Sequence, residues 1–230
     1  MKDFSILEEK IGVKFNDQDL LKQALVHRSY LNEHPDFELN NNERLEFLGD
    51  AVLEIEVTEY LFFNFPNKKE GELTNFRASL VNTKMLASVA EELNLEKFLY
   101  LSKGESQDKN TKARKSILAN TVEAVVGAIY LDQGRERTQK FIEERIIKKF
   151  DYILKNELYL DPKSRFQEKA QEIEGITPHY KVLKESGPDH DKFFEVGLYL
   201  DKDLIAVGRG SSKQEAQIEA AQEVIKEKNW

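Results

Sequence analysis

The sequence has 230 residues, 40% of them apolar, which is enough for one or two domains with well-packed cores. It contains no cysteine, so disulfides and thiolate metal sites are excluded and a reducing compartment is favoured. The net charge of −8 argues mildly against a nucleic-acid partner, although local patches rather than net charge decide such binding. No basic and then apolar run opens the chain, and no apolar stretch reaches about 18 residues. We therefore expect a soluble, cytoplasmic protein.

The first forty residues predict short helices that lead into a polar loop. Asn16 and Asp17 can cap a helix, which is followed by the run Val26-His27-Arg28-Ser29-Tyr30. We interpret His27 as a hydrogen-bonding structural group rather than as a metal ligand. The segment 32–41 is polar and contains a proline, which predicts the loop.

The most informative run is Asn41-Asn42-Glu43-Arg44-Leu45-Glu46-Phe47-Leu48-Gly49-Asp50-Ala51-Val52-Leu53. At the helical period, Glu43, Glu46 and Asp50 fall on one face. The same helix carries a neighbouring apolar stripe, formed by Leu45, Leu48, Val52 and Ile55. That stripe is expected to turn the acidic face toward the domain interior or an interface, whereas a solvated acidic face is the alternative.

Capping and breaking residues predict the ends of this helix and the elements that follow it. Asn41 or Asn42 can cap its start, and Pro66 is a natural stop. Residues 68–74 predict a turn that opens the next helix. Two further helical segments with apolar faces are expected over roughly 82–101.

The second informative stretch is a strongly apolar helix over 116–132, and helices of this kind are usually buried. It follows a polar, basic segment at 102–115, which predicts an exposed loop that either contacts phosphate or is simply solvated. Asn120 and Glu123 share one face of the helix. A buried Glu needs a cation or hydrogen bonds, because a lone desolvated carboxylate is costly. Gly134 is expected to end the helix, and an amphipathic helix follows.

The polar residues of these two helices suit a hard divalent cation such as Mg²⁺, which prefers oxygen ligands. The candidate ligands are Glu46, Asp50, Asn120 and Glu123. Such an ion would activate water for phosphodiester hydrolysis, and a second ion could stabilise the leaving oxygen. The sequence shows no suitable Ser-His or Cys-His pattern and no GxxxxGK phosphate loop. A metal-activated water is therefore the simplest nucleophile.

The hydrophobic period changes after Asp161-Pro162, which indicates a domain boundary. A helix is expected over 163–174, and a final helix after Ser211-Ser212. Strand-like runs lie between the two helices, at 179–184, 193–200 and 204–210. We therefore predict an all-α domain followed by a small α+β domain of order α-β-β-β-α. The predicted bounds are 1–155 for the first domain, 156–160 for a linker and 161–230 for the second domain.

The runs at 41–53 and 116–132, together with the element His27-Arg28-Ser29-Tyr30, closely resemble the signature of the ribonuclease III family. The C-terminal part resembles a double-stranded RNA-binding domain. The stretches that carry this second resemblance are Asp161-Pro162-Lys163-Ser164, Phe166-Gln167-Glu168 and Ser186-Gly187-Pro188-Asp189-His190. The two resemblances cover nearly the whole chain. They imply an all-α endonuclease domain followed by a double-stranded RNA-binding domain.

The family resemblance also implies an activity. Members are homodimeric, Mg²⁺-dependent endonucleases, with Mn²⁺ as a potential substitute, that cut both strands of double-stranded RNA. They leave 5′-phosphate ends and short 3′ overhangs. We therefore expect a homodimer that processes ribosomal and messenger RNA precursors.

Residue roles follow from the resemblance position by position. The catalytic acids are Glu46, Asp50 and Glu123, and the metal ligands are these three together with Asn120. Glu43 and Glu70 match accessory acids in the catalytic valley of the dimer. Phe47 matches a residue that packs across the subunit interface, and an ordinary core position is the alternative for it.

The resemblance implies RNA contacts from three places in the C-terminal domain. They are the first helix, a loop and the start of the last helix, with the residues Gln167, Glu168, Pro188, Asp189, His190, Ser212 and Lys213. The last patch is thin, because Gln214 stands where the family often has a second Lys. From Asp161 onward the chain has 11 basic and 14 acidic residues. We therefore expect weak, strongly salt-sensitive RNA binding by this domain.

One position departs from the family pattern, which usually has Asp where this chain has Asn120. An Asn carbonyl can ligate a cation but brings no charge, so it should weaken ion binding and slow the reaction. The leading interpretation is an active or weakly active enzyme, because the other three acids remain. The alternative is a dimeric duplex-RNA-binding protein with an impaired active site. A structural, ribosome-associated relative would predict further loss of acids, which the sequence does not show.

Overall fold

The computed structural model describes residues 3–108, 111–188, 192–228 and 230. The chain divides into two compact units, Met1–Tyr159 and Leu160–Trp230. The first unit is built from helices and the second from two helices and a sheet, so the predicted order of fold classes is confirmed. None of the described helices combines the length and the apolar character that crossing a membrane requires.

The first unit consists of α-helices, with a longer loop over 34–42 and 3₁₀ turns at Leu95–Phe98 and Ile147–Lys149. The helix bounds are α1 Ser5–Ile11, α2 Gln18–Ala24, α3 Arg28–Glu33, α4 Glu43–Asn64, α5 Glu70–Leu80, α6 Thr83–Leu93, α7 Lys103–Gln107, α8 Lys112–Arg145 and α9 Phe150–Lys155.

Helices α4 and α8 form the centre of this unit. The first half of α8 is enclosed on nearly every side, with the fully buried residues Val122, Ala124, Val125, Val126, Ala128 and Ile129. This confirms the predicted buried helix. On α4, Leu45 and Val52 are buried as predicted, but Ile55 is 55% exposed and its assignment to the stripe was wrong. The buried face of α4 continues instead through Leu53, Val57 and Leu61.

The two central helices approach so closely that only glycine fits at their crossing. A Cβ atom at Gly49 would lie 1.7 Å from the carbonyl oxygen of Glu123, and one at Gly127 would lie 2.2 Å from that of Leu45. Glycine inside a helix costs roughly 0.5–1 kcal/mol relative to alanine. The close approach explains its presence, because any side chain here would force the helices apart.

Helix α8 is interrupted at Gly134, whose φ of 76° and ψ of −176° are not helical. The predicted helix end at this glycine therefore corresponds to a break, after which helical structure resumes. Directly beyond the break, Arg135 forms ion pairs with Glu56 and Glu59 of α4, and its Nε lies 2.5 Å from Oε1 of Glu56. Glu56 is only 4% exposed, so this pairing neutralises a buried charge and holds the second half of α8 against α4.

The segment 102–115, predicted as an exposed loop, is instead partly helical. Helix α7 lies within it, α8 begins at Lys112, and Arg114 is 4% exposed. The Arg114 guanidinium donates to the carbonyl oxygens of Glu105, at 2.5 Å, and Asp108, at 3.1 Å. These bonds satisfy carbonyl groups at the end of α7. The prediction of an exposed loop rested on the number of charged residues, which does not show that one of them is buried in this way.

The second unit is a three-stranded antiparallel sheet with two helices packed against it. Its elements are α10 Pro162–Ile173, β1 His179–Ser186, β2 Phe193–Leu200, β3 Asp203–Gly210 and α11 Lys213–Lys228. Its main buried cluster consists of Phe166, Ala170, Leu198, Leu200, Ala220, Ala221 and Val224. Trp230 stacks on Phe166 with ring centroids 5.6 Å apart. Tyr159, which was predicted to lie in the linker, is the last residue of the first unit and packs edge-on against Phe76 of that same unit.

Replacing Gly49 with alanine is expected to destabilise the chain by about 3 kcal/mol, because the new methyl group overpacks the helix crossing. Urea unfolding followed by circular dichroism measures this change. The matched control is Gly71→Ala in α5, where a Cβ atom meets nothing within 4 Å and alanine favours the helix. Equal stability of the two variants would contradict the account of the crossing.

Candidate catalytic and RNA-binding sites

The crossing of α4 and α8 brings the predicted acids of both helices into one cluster, defined here as Glu46, Asp50, Asn120 and Glu123. Asp50 is exposed, whereas the other three side chains are half-buried. The Nδ2 of Asn120 donates a hydrogen bond of 2.8 Å to Oε1 of Glu46, so the two helices are linked within the cluster.

Burial and mutual repulsion raise the pKa values of two acids in this cluster. Burial, followed by the charges of Asp50 and Glu46, raises the pKa of Glu123 to about 7. Burial also raises the pKa of Glu46; the hydrogen bond from Asn120 opposes this shift, and the charges of Glu43 and Asp50 add to it. The cluster therefore holds more negative charge than its surroundings offset.

The predicted accessory acids lie in different places. Glu43 begins α4, and its Oε1 lies 3.7 Å from Nη1 of Arg28. Glu70 begins α5, where it accepts a 3.0 Å hydrogen bond from Oγ1 of Thr74. Glu70 lines a cavity with the C-terminal half of α4, around Phe62, rather than with the acidic cluster. Within the described chain, the structure thus brings Glu43 to the cluster and leaves Glu70 apart.

The start of α4 differs in detail from the simple capping prediction. Asn42 holds the capping position, but its side chain points inward and donates to the carbonyl oxygen of Ala24. The side chain of Asn41 instead accepts from the backbone N–H of Glu43, at 3.2 Å. The side chain of Asn41 therefore caps the start of α4, and the side chain of Asn42 joins α4 to α2.

His27 serves the structural role expected of it. Its Nδ1 lies 2.8 Å from Oγ of Ser29 and accepts from the backbone N–H of the same residue at the start of α3. Burial is the main cause of a lowered pKa for His27, which favours the neutral ring that accepts this bond.

The acidic cluster fits a hard divalent cation in donor type and in charge. Its side chains offer carboxylate and amide oxygens. A cation would offset the burial cost and the repulsion that together raise the pKa of Glu123. Across the described ranges, however, no three His, Asp or Glu side chains already converge on one metal position. The Asn120 amide also directs its nitrogen, rather than its oxygen, at Glu46.

Phe47 is 82% exposed, so an ordinary core position is excluded for it in the single chain. It lines a surface cavity together with Leu20, Leu48 and Leu131. Large exposed aromatic residues beside apolar neighbours are typical of interaction surfaces.

Five of the seven residues predicted to contact RNA lie in the described part of the second unit, and all five are exposed. Gln167 and Glu168 on α10 are exposed, as are Pro188 and, where α11 begins, Ser212 and Lys213. The predicted contacts Asp189 and His190 lie outside the described residues. The Oγ of Ser212 accepts from the backbone N–H of Glu215 and is thus partly occupied by helix capping.

Sequence reasoning missed residues whose roles depend on packing. Lys163 joins the two helices of the second unit, because its Nζ donates 2.7 Å to Oε1 of Gln217 and lies over the ring of Tyr180. Gly49 and Gly127 place the acidic cluster without contributing a functional group. The sequence signal that could have identified these two positions is a glycine inside a helical pattern, which often indicates close packing.

Comparisons with known proteins identify the family of each part of the chain. Residues 17–150 match the Ribonuclease-III-like family, and residues 162–228 match the double-stranded RNA binding motif. The chain is 44% identical to Ribonuclease 3 of Nitratiruptor sp. over 98% of its own length and 97% of the relative's. It is 41% identical to Ribonuclease 3 of Campylobacter fetus over the full length of both. The nuclease domain of ribonuclease III from Campylobacter jejuni is 39% identical, with a TM-score of 0.57, over 65% of this chain and 99% of that one.

A helical domain with an acidic cluster, joined to a duplex-RNA-binding module, defines the class of double-strand-specific endoribonucleases. The chain belongs to the ribonuclease III family. This confirms the resemblance found in the two helical signature runs and in the C-terminal domain.

In metal-free buffer, Glu123→Gln is expected to stabilise the chain above pH 7 and to have little effect near pH 4.5. The folded-state pKa of about 7 lies above the ordinary value of 4.5, so the folded chain loses stability as the pH rises between them. Allowing for solvent screening, the gain is on the order of 1 kcal/mol, or about 2–4 °C in Tm.

Thermal unfolding monitored by circular dichroism, with a chelator present, tests this expectation across the same pH range. The control is Glu136→Gln, which removes an exposed carboxylate elsewhere on α8. If the Tm of the parent and that of Glu123→Gln depend on pH in the same way, burial and repulsion at Glu123 do not lower the stability of the folded chain at high pH.

Proposed function

We propose that this chain is a Mg²⁺-dependent ribonuclease III that cuts double-stranded RNA to products with 5′-phosphates and short 3′ overhangs. Ribosomal and messenger RNA precursors are the proposed substrates. The observation that carries the proposal is the convergence of Glu46, Asp50 and Glu123 at the crossing of α4 and α8, with the duplex-RNA-binding motif on the same chain. The proposed setting is the cytoplasm, which the lack of cysteine favours.

Each residue of the cluster has a proposed role. Glu46, Asp50 and Glu123 would hold the cation through carboxylate oxygens, and Asn120 through its amide oxygen after rotation. Mg²⁺ bound there supplies an activated water and offsets negative charge on the phosphate. Because a bound cation favours the ionised carboxylate, Glu123 would act as a ligand once the ion is present, although its pKa is raised to about 7 in the metal-free chain. The buried flank of α8 limits water access behind the cluster.

We also propose that the active form is a homodimer. The support is Phe47, which is exposed and borders an apolar surface cavity of its own chain. In a two-fold dimer such a surface can receive the same residue from the second copy. Mn²⁺ is proposed as a substitute for Mg²⁺, because it also accepts oxygen ligands.

A second candidate function is duplex-RNA binding without efficient cleavage. The observation that favours it is the hydrogen bond from Asn120 to Glu46, which occupies a carboxylate oxygen that would otherwise face the cation. An amide also contributes no charge to cation binding. The three remaining carboxylates favour the working nuclease.

Cleavage of a labelled RNA duplex at several Mg²⁺ and Mn²⁺ concentrations tests the proposed function. The parent chain is expected to cut, and Asp50→Asn to slow cleavage by about 100-fold or more without weakening duplex binding. Asn120→Asp is expected to lower the half-saturating Mg²⁺ concentration about tenfold, because a further unit charge lies near the ion.

Two outcomes would redirect this proposal. If only Asn120→Asp cuts while both proteins bind the duplex, the second candidate function holds for the chain as it stands. If neither protein cuts or binds, the proposed function fails. Analysis of the product ends separately tests the predicted 5′-phosphates and overhangs.

Gln214→Lys is expected to tighten duplex binding by the full chain severalfold. The added cation at the start of α11 should steepen the dependence of log Kd on log salt by about one. Fluorescence anisotropy across a salt series measures both quantities. Gln222→Lys adds the same charge about two turns further along the helix and serves as the control. If both variants tighten binding equally, the start of α11 is not a specific phosphate contact.

A further inference from the structure

A cavity of about 610 Å³ opens beside the acidic cluster of the first unit. Its lining includes Glu46 and Asn120 of the cluster, together with Arg28, Ser116 and Ile117. Pockets of about 300–1,000 Å³ are typical of sites for small ligands, and this volume suits a nucleotide. The cavity is continuous with the proposed catalytic residues, so a strand that reaches them passes through or beside it.

The charges that line this cavity are mostly negative. They include Glu43, Glu46 and Glu105, whereas Arg28 is the sole Lys or Arg on the described part of its wall. An RNA strand brings one negative phosphate for each nucleotide, and these carboxylates repel it. Arg28 is therefore the side chain in place to offset that repulsion next to the cluster.

The present partner of Arg28 holds it loosely. Its Nη1 lies 3.7 Å from Oε1 of Glu43, and the two side chains are 72% and 53% exposed. Exposed ion pairs at such a distance contribute little to stability. A guanidinium binds a phosphate through paired N–H groups at shorter range, so exchange of the carboxylate for a phosphate is favourable.

The position of Arg28 in the fold points to its side chain as the anion-binding group. Arg28 is the first residue of α3, which is only six residues long and offers little dipole of its own. The first-turn N–H of Ser29 is already bonded to His27. These bonds fix the backbone at Arg28, while its long side chain remains free to move between Glu43 and the cavity.

We infer that this cavity receives the ribose-phosphate of a nucleotide next to the scissile bond, and that Arg28 leaves Glu43 to bind its phosphate. The inference rests on the proposed cleavage of duplex RNA. Arg28 is a positioning residue: it places the RNA backbone against the acidic cluster and takes no part in bond cleavage. In the free protein the same side chain offsets the charge of Glu43.

Single-turnover cleavage of a labelled duplex by the full chain tests this role. Arg28→Gln is expected to raise the protein concentration for half-maximal rate about fivefold and to leave the rate at saturation close to that of the parent. The slope of log affinity against log salt should fall by about one, which corresponds to one lost phosphate contact. Arg28→Lys should keep the salt slope and recover part of the affinity, because it retains the charge but loses the paired N–H groups.

The control is Arg137→Gln, which removes an exposed arginine from the second half of α8. It should change neither the salt slope nor the half-saturating concentration. Thermal unfolding of each variant establishes that the fold is intact. Parental half-saturation and salt slope in Arg28→Gln would overturn the inference, as would a fall in the saturating rate alone.

A further variant tests the exchange between carboxylate and phosphate. Glu43→Gln frees Arg28, so it should tighten binding more in the parent than in the Arg28→Gln background. Equal effects in the two backgrounds would show that Arg28 and Glu43 act independently, and would overturn the exchange. Failure of the parent to cut duplex RNA would instead reject the proposed function, so the two failures are distinguishable.

Discussion

The contact on which the rest of this structure depends is the backbone-to-backbone crossing of α4 and α8. Gly49 and Gly127 remove the side chains that would separate these helices, so that each glycine faces a carbonyl of the other helix. The cluster residues of α4 lie within one turn of Gly49, and those of α8, Asn120 and Glu123, lie one to two turns before Gly127. The positions of the acids in space therefore follow from two residues that carry no functional group.

Close approach also creates an electrostatic cost. Bringing half-buried carboxylates from two helices together disfavours their ionisation, as the raised pKa of Glu123 shows. The fully buried valine and isoleucine side chains of α8 offset this cost, since each contributes roughly 1.5–3 kcal/mol to stability. Asn120 lowers the cost further, because its amide donates to Glu46 where an aspartate would add a negative charge. Stability of the metal-free chain and affinity for a cation thus oppose each other at this position.

Local patterns in the sequence predicted much of this architecture. The 3.6-residue period placed the acids of α4 on one face, the apolar character of α8 indicated its burial, and Gly134 marked a break in the helix. Apolar-rich, strand-like runs in the C-terminal part predicted all three strands of the sheet. These features depend on neighbours within a few positions along the chain, which is why they can be read from it.

The predictions that failed depend on contacts between distant segments. Ile55 follows the apolar period of α4 but faces outward, because the partner helix contacts the face that carries Leu53 and Val57. Arg114 looked like a solvent-exposed charge and is buried, since carbonyl groups at the end of α7 accept its N–H groups.

The chain contains a single tryptophan, and its place in the fold makes it a selective optical probe. Trp230 stacks on Phe166 beneath α10, and Lys228 lies over its ring. Its intrinsic fluorescence therefore reports on the integrity of the sheet-containing unit alone. The helical nuclease unit has no tryptophan and does not contribute to tryptophan emission. Comparing fluorescence with far-ultraviolet dichroism during denaturation can thus separate the unfolding of the two units in the intact chain, without labels or truncation.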